Sequence, residues 1–256
     1  MPAYEGDKYG FAQPKKRRSV KPTKKGILSP KTEEILEKGK DRETEIPEIP
    51  DFVDPVFACF VIDASPSMSP YRMDVIQSHP VMLDVLRESA KCKNDALYVI
   101  QYLFSGTSKQ LHPFEKLDVQ KKDAVVLLNQ KNYDTNQGSG TALYDTVFEL
   151  LQEMNATIEV CYDDGIPSTF SIGVITDGDD NVSKVKPADI RSVVEDLREK
   201  GYLRSSVILG LLDKQFSEKR LQEIKKMLAF DKAIPLGKEP AEIRRAFELA
   251  SQSSLG

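Results

Sequence analysis

Apolar residues run unbroken from Val56 to Ile62, the pattern of a central strand covered on both faces. Ala96–Phe104 reads as the next strand, with a short hairpin partner near Gln110–Phe114. Between the first two strands, Ser69 and Pro70 have the composition of an N-cap and a first helical residue. The helix they open runs towards Cys92, and Pro80 predicts a kink or break inside it. A further helix is predicted near Asp123–Gln130. Beyond it, Leu143, Val147, Leu150, Leu151, Met154 and Ile158 mark one stripe of a longer helix. Strands over Thr169–Thr176, Ser206–Leu212 and Ala233–Leu236 then alternate with helices over Pro187–Lys200, 217–230 and Ala241–Ser251. Strands that alternate with helical crossovers predict an α/β fold. It is a doubly wound, mainly parallel central sheet of about six strands with helices on both faces.

Residues 1–50 break this pattern. They are rich in Lys, Glu and Pro and too poor in apolar residues to offset ordering entropy, so they read as a disordered tail and linker before a domain over 51–256. A short helix near Thr32–Lys38, capped by Thr32, is the one element this stretch suggests. The tail is basic and then acidic: residues 1–31 carry a net charge of +7, residues 32–51 one of −5, and the remainder −6. The whole-chain charge of −4 argues against bulk electrostatic binding to nucleic acid or membrane. Three widely spaced cysteines form no C-x-x-C, which disfavours a disulfide framework or zinc site and fits a reducing compartment. Met1–Asp7 holds no apolar signal core, and no apolar run approaches membrane-spanning length, so a cytoplasmic protein is expected.

In doubly wound sheets, ligands sit at the carboxyl ends of the strands. Two strands here end in aspartates followed by polar loops, Asp63-Ala64-Ser65-Pro66-Ser67 and Thr176-Asp177-Gly178-Asp179-Asp180-Asn181. Between them Gly138-Ser139-Gly140-Thr141 opens the long helix. Each piece alone has a plain structural reading as a turn or cap. Together, in this order, Asp63, Ser65, Ser67, Thr141 and Asp177 resemble the metal-ion-dependent adhesion site of von Willebrand factor A (vWA) domains. The motif of that family is D-x-S-x-S, a Thr in a Gly-rich loop, and an Asp in a T-D-G turn. The resemblance covers about 200 residues from Asp51 onward. It implies Mg²⁺ (or Mn²⁺) held mainly by the hydroxyls of Ser65, Ser67 and Thr141, with Asp63 and Asp177 acting through water or hydrogen bonds. Such a hard cation prefers about six oxygen ligands. An open position would take an Asp or Glu from a protein partner. One departure is Pro66, where the family often has Gly; proline fixes φ and removes a donor, which predicts a stiffer or re-aimed loop.

Other features carry less. Asp177-x-Asp179-x-Asn181 begins like an EF-hand loop but has Val182 and Ala188 where Gly and Glu are required. Asp179 and Asp180 read as rim charges, and Asp163-Asp164-Gly165 as a surface turn. His79 and His112 have no partner pattern and read as structural. No nucleophile elbow, phosphate loop or zinc-protease motif appears, so no enzymatic activity is expected. The resemblance is strongest to stand-alone intracellular bacterial vWA proteins of the tellurite-resistance-associated type. It implies an adaptor or regulator working beside a kinase, phosphatase or AAA+ ATPase. The rival reading is a nucleic-acid-associated vWA protein acting through Pro14-Lys15-Lys16-Arg17-Arg18, although a solvated basic tail is the favoured explanation of that run.

Overall fold

The computed structural model describes residues 18–20, 27–37, 44–47, 49, 53–94, 96–121, 125–136 and 139–255. Its centre is a six-stranded sheet built from Val56–Asp63 (β3), Leu97–Phe104 (β4), Ser108–Lys116 (β5), Thr169–Thr176 (β6), Leu203–Leu211 (β7) and Lys232–Leu236 (β8). The spatial order is β5-β4-β3-β6-β7-β8, and every pairing is parallel except β4 with β5. From β3 the chain first builds outward to β4 and β5, then returns to β3's other side for β6. The reversal therefore lies beside β3, and the register brings Asp63, Thr176 and Leu211–Leu236 to the same carboxyl edge.

Alternation along β3 fills two cores. Phe57, Cys59 and Val61 face a layer that includes Leu143–Asp163 (α4), Pro187–Glu199 (α5) and Glu218–Leu228 (α6). Ala58, Phe60 and Ile62 face Arg72–Glu88 (α2) and Pro240–Leu255 (α7). Such two-sided cover is why β3 and β4 are buried at every position and read as continuous apolar runs. The predicted stripe of α4 is buried throughout, from Leu143 to Ile158.

Several local expectations need correction. The connection after β3 is a 3-10 turn, Pro66–Tyr71, and α2 starts only at Arg72. Ser69 does not cap it; its hydroxyl bonds Thr135 Oγ1 at 2.8 Å. Pro80 does not break α2. The buried Val75, Met82, Leu83 and Leu86 flank it and hold the helix against the sheet and α7, which outweighs the proline penalty. The break comes instead at Ser89, which caps Ala90–Lys93 (α3) by accepting from the Cys92 amide at 3.2 Å.

The predicted helix near Asp123–Gln130 is absent over its described part, residues 125–130. There Asn129 Oδ1 accepts from the Lys131 and Asn132 amides, while Asn132 Oδ1 accepts from the Asn129 amide and its Nδ2 donates to the Leu127 carbonyl. These local side-chain bonds take the backbone groups a helix would use.

Within the stretch read as a tail, Arg18–Val20 (β1) pairs antiparallel with Thr44–Ile46 (β2), and Pro30–Glu37 forms a helix (α1). Its cap is Ser29 rather than Thr32: the Ser29 carbonyl accepts from the Glu33 amide at 3.0 Å and Pro30 is the first helical residue. Ile27, Leu28, Ile35 and Leu36 are buried in the α4–α5 layer, the Ser29 amide donates to Asp196 Oδ2 at 2.7 Å, and Gln152 donates to the Leu36 carbonyl at 2.7 Å. Four large apolar residues within ten positions were enough to seat this segment on the domain. The remainder of the basic run, Pro14–Arg17, lies outside the described residues. Among the described residues no helix is long and apolar enough to cross a membrane.

Candidate functional site

Asp63 ends β3 and is fully buried. Its Oδ1 accepts from the Ser65 amide at 2.8 Å and its Oδ2 from the Thr176 hydroxyl at 2.6 Å. Tyr133, also buried, donates its hydroxyl to the Asp63 carbonyl at 2.6 Å. Pro66 biases Ser65 to extended backbone, and Ser65 is extended at φ −65°, ψ 162°. Pro66 then opens the 3-10 turn, where its missing N–H costs nothing. The turn that Pro66 opens brings the Ser65 and Ser67 hydroxyl oxygens to 2.9 Å.

Asp177 follows β6, and its carboxylate is shielded from solvent. Its Oδ1 accepts from the Ser67 hydroxyl at 2.7 Å, which joins the first and third pieces of the motif across 110 positions. Thr141 arrives from a loop tied to the same edge. The Thr141 amide donates to Asn181 Oδ1 at 2.8 Å, and the Asn181 amide donates to the Thr141 carbonyl at 3.1 Å. Gly140 makes that approach possible: φ is +112°, and a Cβ there would lie 2.5 Å from Val182 Cγ1 and 2.8 Å from Asn181 Oδ1. The structure thus brings all five sequence-predicted residues, Asp63, Ser65, Ser67, Thr141 and Asp177, to one edge of the sheet.

The electrostatics are those of two buried carboxylates side by side. Burial, and then the charge of Asp177, push the Asp63 carboxyl up to about 6 against the bonds from Ser65 and Thr176 that favour its anion. A cation relieves such a pair. Three hydroxyls and two carboxylates form an all-oxygen set of the kind hard divalent ions select, so these residues fit Mg²⁺ or Mn²⁺.

Residues the sequence did not single out complete the site. Lys238, two positions past β8, donates to Asp177 Oδ2 and to Asp213 Oδ2, both at 2.7 Å. Burial pulls its ammonium down, but those two bonds outweigh it and hold it above the ordinary value. The bond from Lys238, reinforced by the amides of Phe216 and Gln215, holds Asp213 down at about 2. A charged residue just past the last parallel strand was the available signal. Asp179 and Asp180 are partly exposed, and both are bonded within the domain. Asp179 is bonded by two nitrogens of the Arg220 guanidinium. Asp180 accepts from the Tyr144 amide at 3.0 Å and the Ser183 amide at 3.2 Å, so it caps α4 from a distant loop.

No family model and no curated protein matches the sequence. Many solved structures do. The chain is similar to a von Willebrand factor type A protein from Catenulispora acidiphila, with a TM-score of 0.55 and 17% identity over 79% of this chain and 43% of that one. It is similar to proximal thread matrix protein 1 from the mussel byssus (TM-score 0.53, 13% identity, 77% of this chain and 48% of that one). It is also similar to the PilB minor pilin from Streptococcus sanguinis (TM-score 0.52, 12% identity, 85% and 67%). The chain spans less than half the length of the first two. At such identities the likeness is one of fold. With the 3-2-1-4-5-6 strand order, counted from β3, and its antiparallel edge strand, the chain has the von Willebrand factor A fold.

Proposed function

We propose that this protein is a Mg²⁺- or Mn²⁺-dependent protein-binding module, an adaptor or regulator rather than a catalyst. The observation that carries the reading is the buried Asp63–Asp177 pair with the hydroxyls of Ser65 and Ser67 beside it and Thr141 tied to the same edge through Asn181. Ser65, Ser67 and Thr141 would hold the ion, with Asp63 and Asp177 behind them. A bound divalent ion supplies a positive centre that a carboxylate from outside can join. The chain's own part is to fix the hydroxyls: Asp63 orients Ser65 through its amide, Asp177 orients Ser67, and Asn181 anchors Thr141. Neutral hydroxyl ligands screen the ion less than carboxylates would, so an incoming Asp or Glu gains a direct ionic bond. An Asn or Gln of the same shape brings no charge.

Partners captured from native extract should therefore be released by EDTA and restored by excess Mg²⁺. Thr141→Ala removes one hydroxyl and keeps both aspartates, so it should weaken capture at least tenfold while the fold persists. Capture that is indifferent both to EDTA and to Thr141→Ala would place the interface elsewhere on the molecule.

A further inference from the structure

We infer that Lys238 is a tethered counter-cation of the metal site: its ammonium holds Asp177 while no divalent ion is bound and gives way towards Asp213 when one binds. The inference rests on the metal-binding reading above and concerns how that site is regulated.

Two carboxylates out of water at close range are costly unless a cation accompanies them. Asp63 and Asp177 are both shielded from solvent. The cation this chain supplies is Lys238, with its ammonium 2.7 Å from Asp177 Oδ2 and its side chain only 11% exposed. Its position follows from the topology. Parallel strands β6, β7 and β8 end level, so Asp177, Asp213 and Lys238 emerge side by side although they lie up to 61 positions apart. The ammonium also lies over the Tyr71 ring, 5.2 Å from its centroid, at the far end of the 3-10 turn that carries Ser67.

Both oxygens of Asp177 are thereby occupied, Oδ1 by Ser67 and Oδ2 by Lys238. A divalent ion among the hydroxyls meets a like charge beside the carboxylate that should support it. Lys238 has somewhere to go. Asp213 Oδ2 already lies 2.7 Å from the ammonium, and Asp213 is the more exposed of its two partners at 38% against 0% for Asp177. Rotation outward leaves the ammonium paired and frees Asp177. The chain's own cation thus keeps the metal-free domain stable, at the expense of metal affinity. The site becomes a sensor of divalent-ion concentration rather than a permanently loaded one.

Lys238→Gln keeps a donor and removes the charge. Two readouts separate the outcomes: Mg²⁺ titration by calorimetry, and the thermal midpoint in EDTA and in Mg²⁺. The expected result is at least tenfold tighter Mg²⁺ binding by the variant, a lower midpoint in EDTA than wild type, and closure of that gap at saturating Mg²⁺. A variant that folds only when Mg²⁺ is added supports the same conclusion. Equal or weaker Mg²⁺ binding by the variant overturns the inference, because the ammonium then does not compete. If wild type and variant both ignore Mg²⁺ and Mn²⁺, the metal-site reading itself fails and takes this inference with it. If Lys238→Gln folds in neither condition, Lys238→Met, whose stem can still cover Tyr71, is measured against the same criteria.

Discussion

Gly140 combines a φ of +112° with a backbone so close to Val182 and Asn181 that no side chain fits. Gly140→Ala should lower stability by about 1–3 kcal/mol, the usual scale of such backbone strain, as read from urea unfolding. It should weaken divalent-ion binding as well, because Thr141 is the next residue. An alanine variant with wild-type stability would mean the loop has other conformations open to it. At this scale the metal-ligating candidates were legible because their signal is local. Asp63, Ser65 and Ser67 sit at fixed spacing after an apolar strand, and Asp177 sits in a T-D-G turn. Lys238 and Asp213 carry no such spacing. Their meeting depends on where β7 and β8 end relative to β6, a matter of register that a linear sequence does not display. The capping role of Asp180 was hidden for a similar reason, since the helix terminus it caps belongs to a segment 36 positions earlier.

Elements with strong periodicity or continuous apolar character matched their expected spans, β6 from Thr169 to Thr176 among them. The predicted helix that failed gave way to side-chain bonds to the backbone, in the Asn129–Asn132 loop. That loop packs on α2 through His79, whose Nδ1 accepts from the Leu128 amide while its Nε2 faces Gln101. Both contacts suit a neutral ring, and burial pulls the His79 imidazole down from 6.5 to about 4. The unfolded chain therefore takes up the proton first, so stability at neutral pH is undiminished and falls as pH drops from about 6.5 towards 4. Between pH 7 and pH 5 this one group should remove about 2 kcal/mol. Urea unfolding of wild type and His79→Gln across that range checks it; parallel pH profiles would assign the loss to other groups.

The α1 segment makes a second prediction at this scale. A chain beginning at Asp51 loses the buried Ile27, Leu28, Ile35 and Leu36, each worth about 1.5–3 kcal/mol when fully buried, and should be several kcal/mol less stable. It should bind Mg²⁺ as the full chain does, because the site lies at the strand ends and takes nothing from α1. Unchanged stability would show that α1 contributes nothing to the core.

On the scale of the molecule, the sheet holds together through two large apolar cores, one on each face. With cores of this size the chain should fold without the ion. Chelation should lower stability only by the mass-action amount, about 2.7 kcal/mol at a metal concentration one hundred times the dissociation constant. The layered architecture was readable because strand–helix alternation implies a parallel sheet covered on both faces, whereas the order in which the strands pair emerges only in the fold. The seat of α1 was not, because the apolar content of residues 27–36 is diluted by a charged neighbourhood on both sides. The central claim is that Asp63, Ser65, Ser67, Thr141 and Asp177 form one divalent-ion site, and calorimetric titration of Mg²⁺ and Mn²⁺ into wild type and Asp63→Ala tests it most directly. Wild type should bind one ion per chain and Asp63→Ala none, with the far-ultraviolet circular dichroism of the two proteins alike; no binding by wild type, or equal binding by both, would contradict the account.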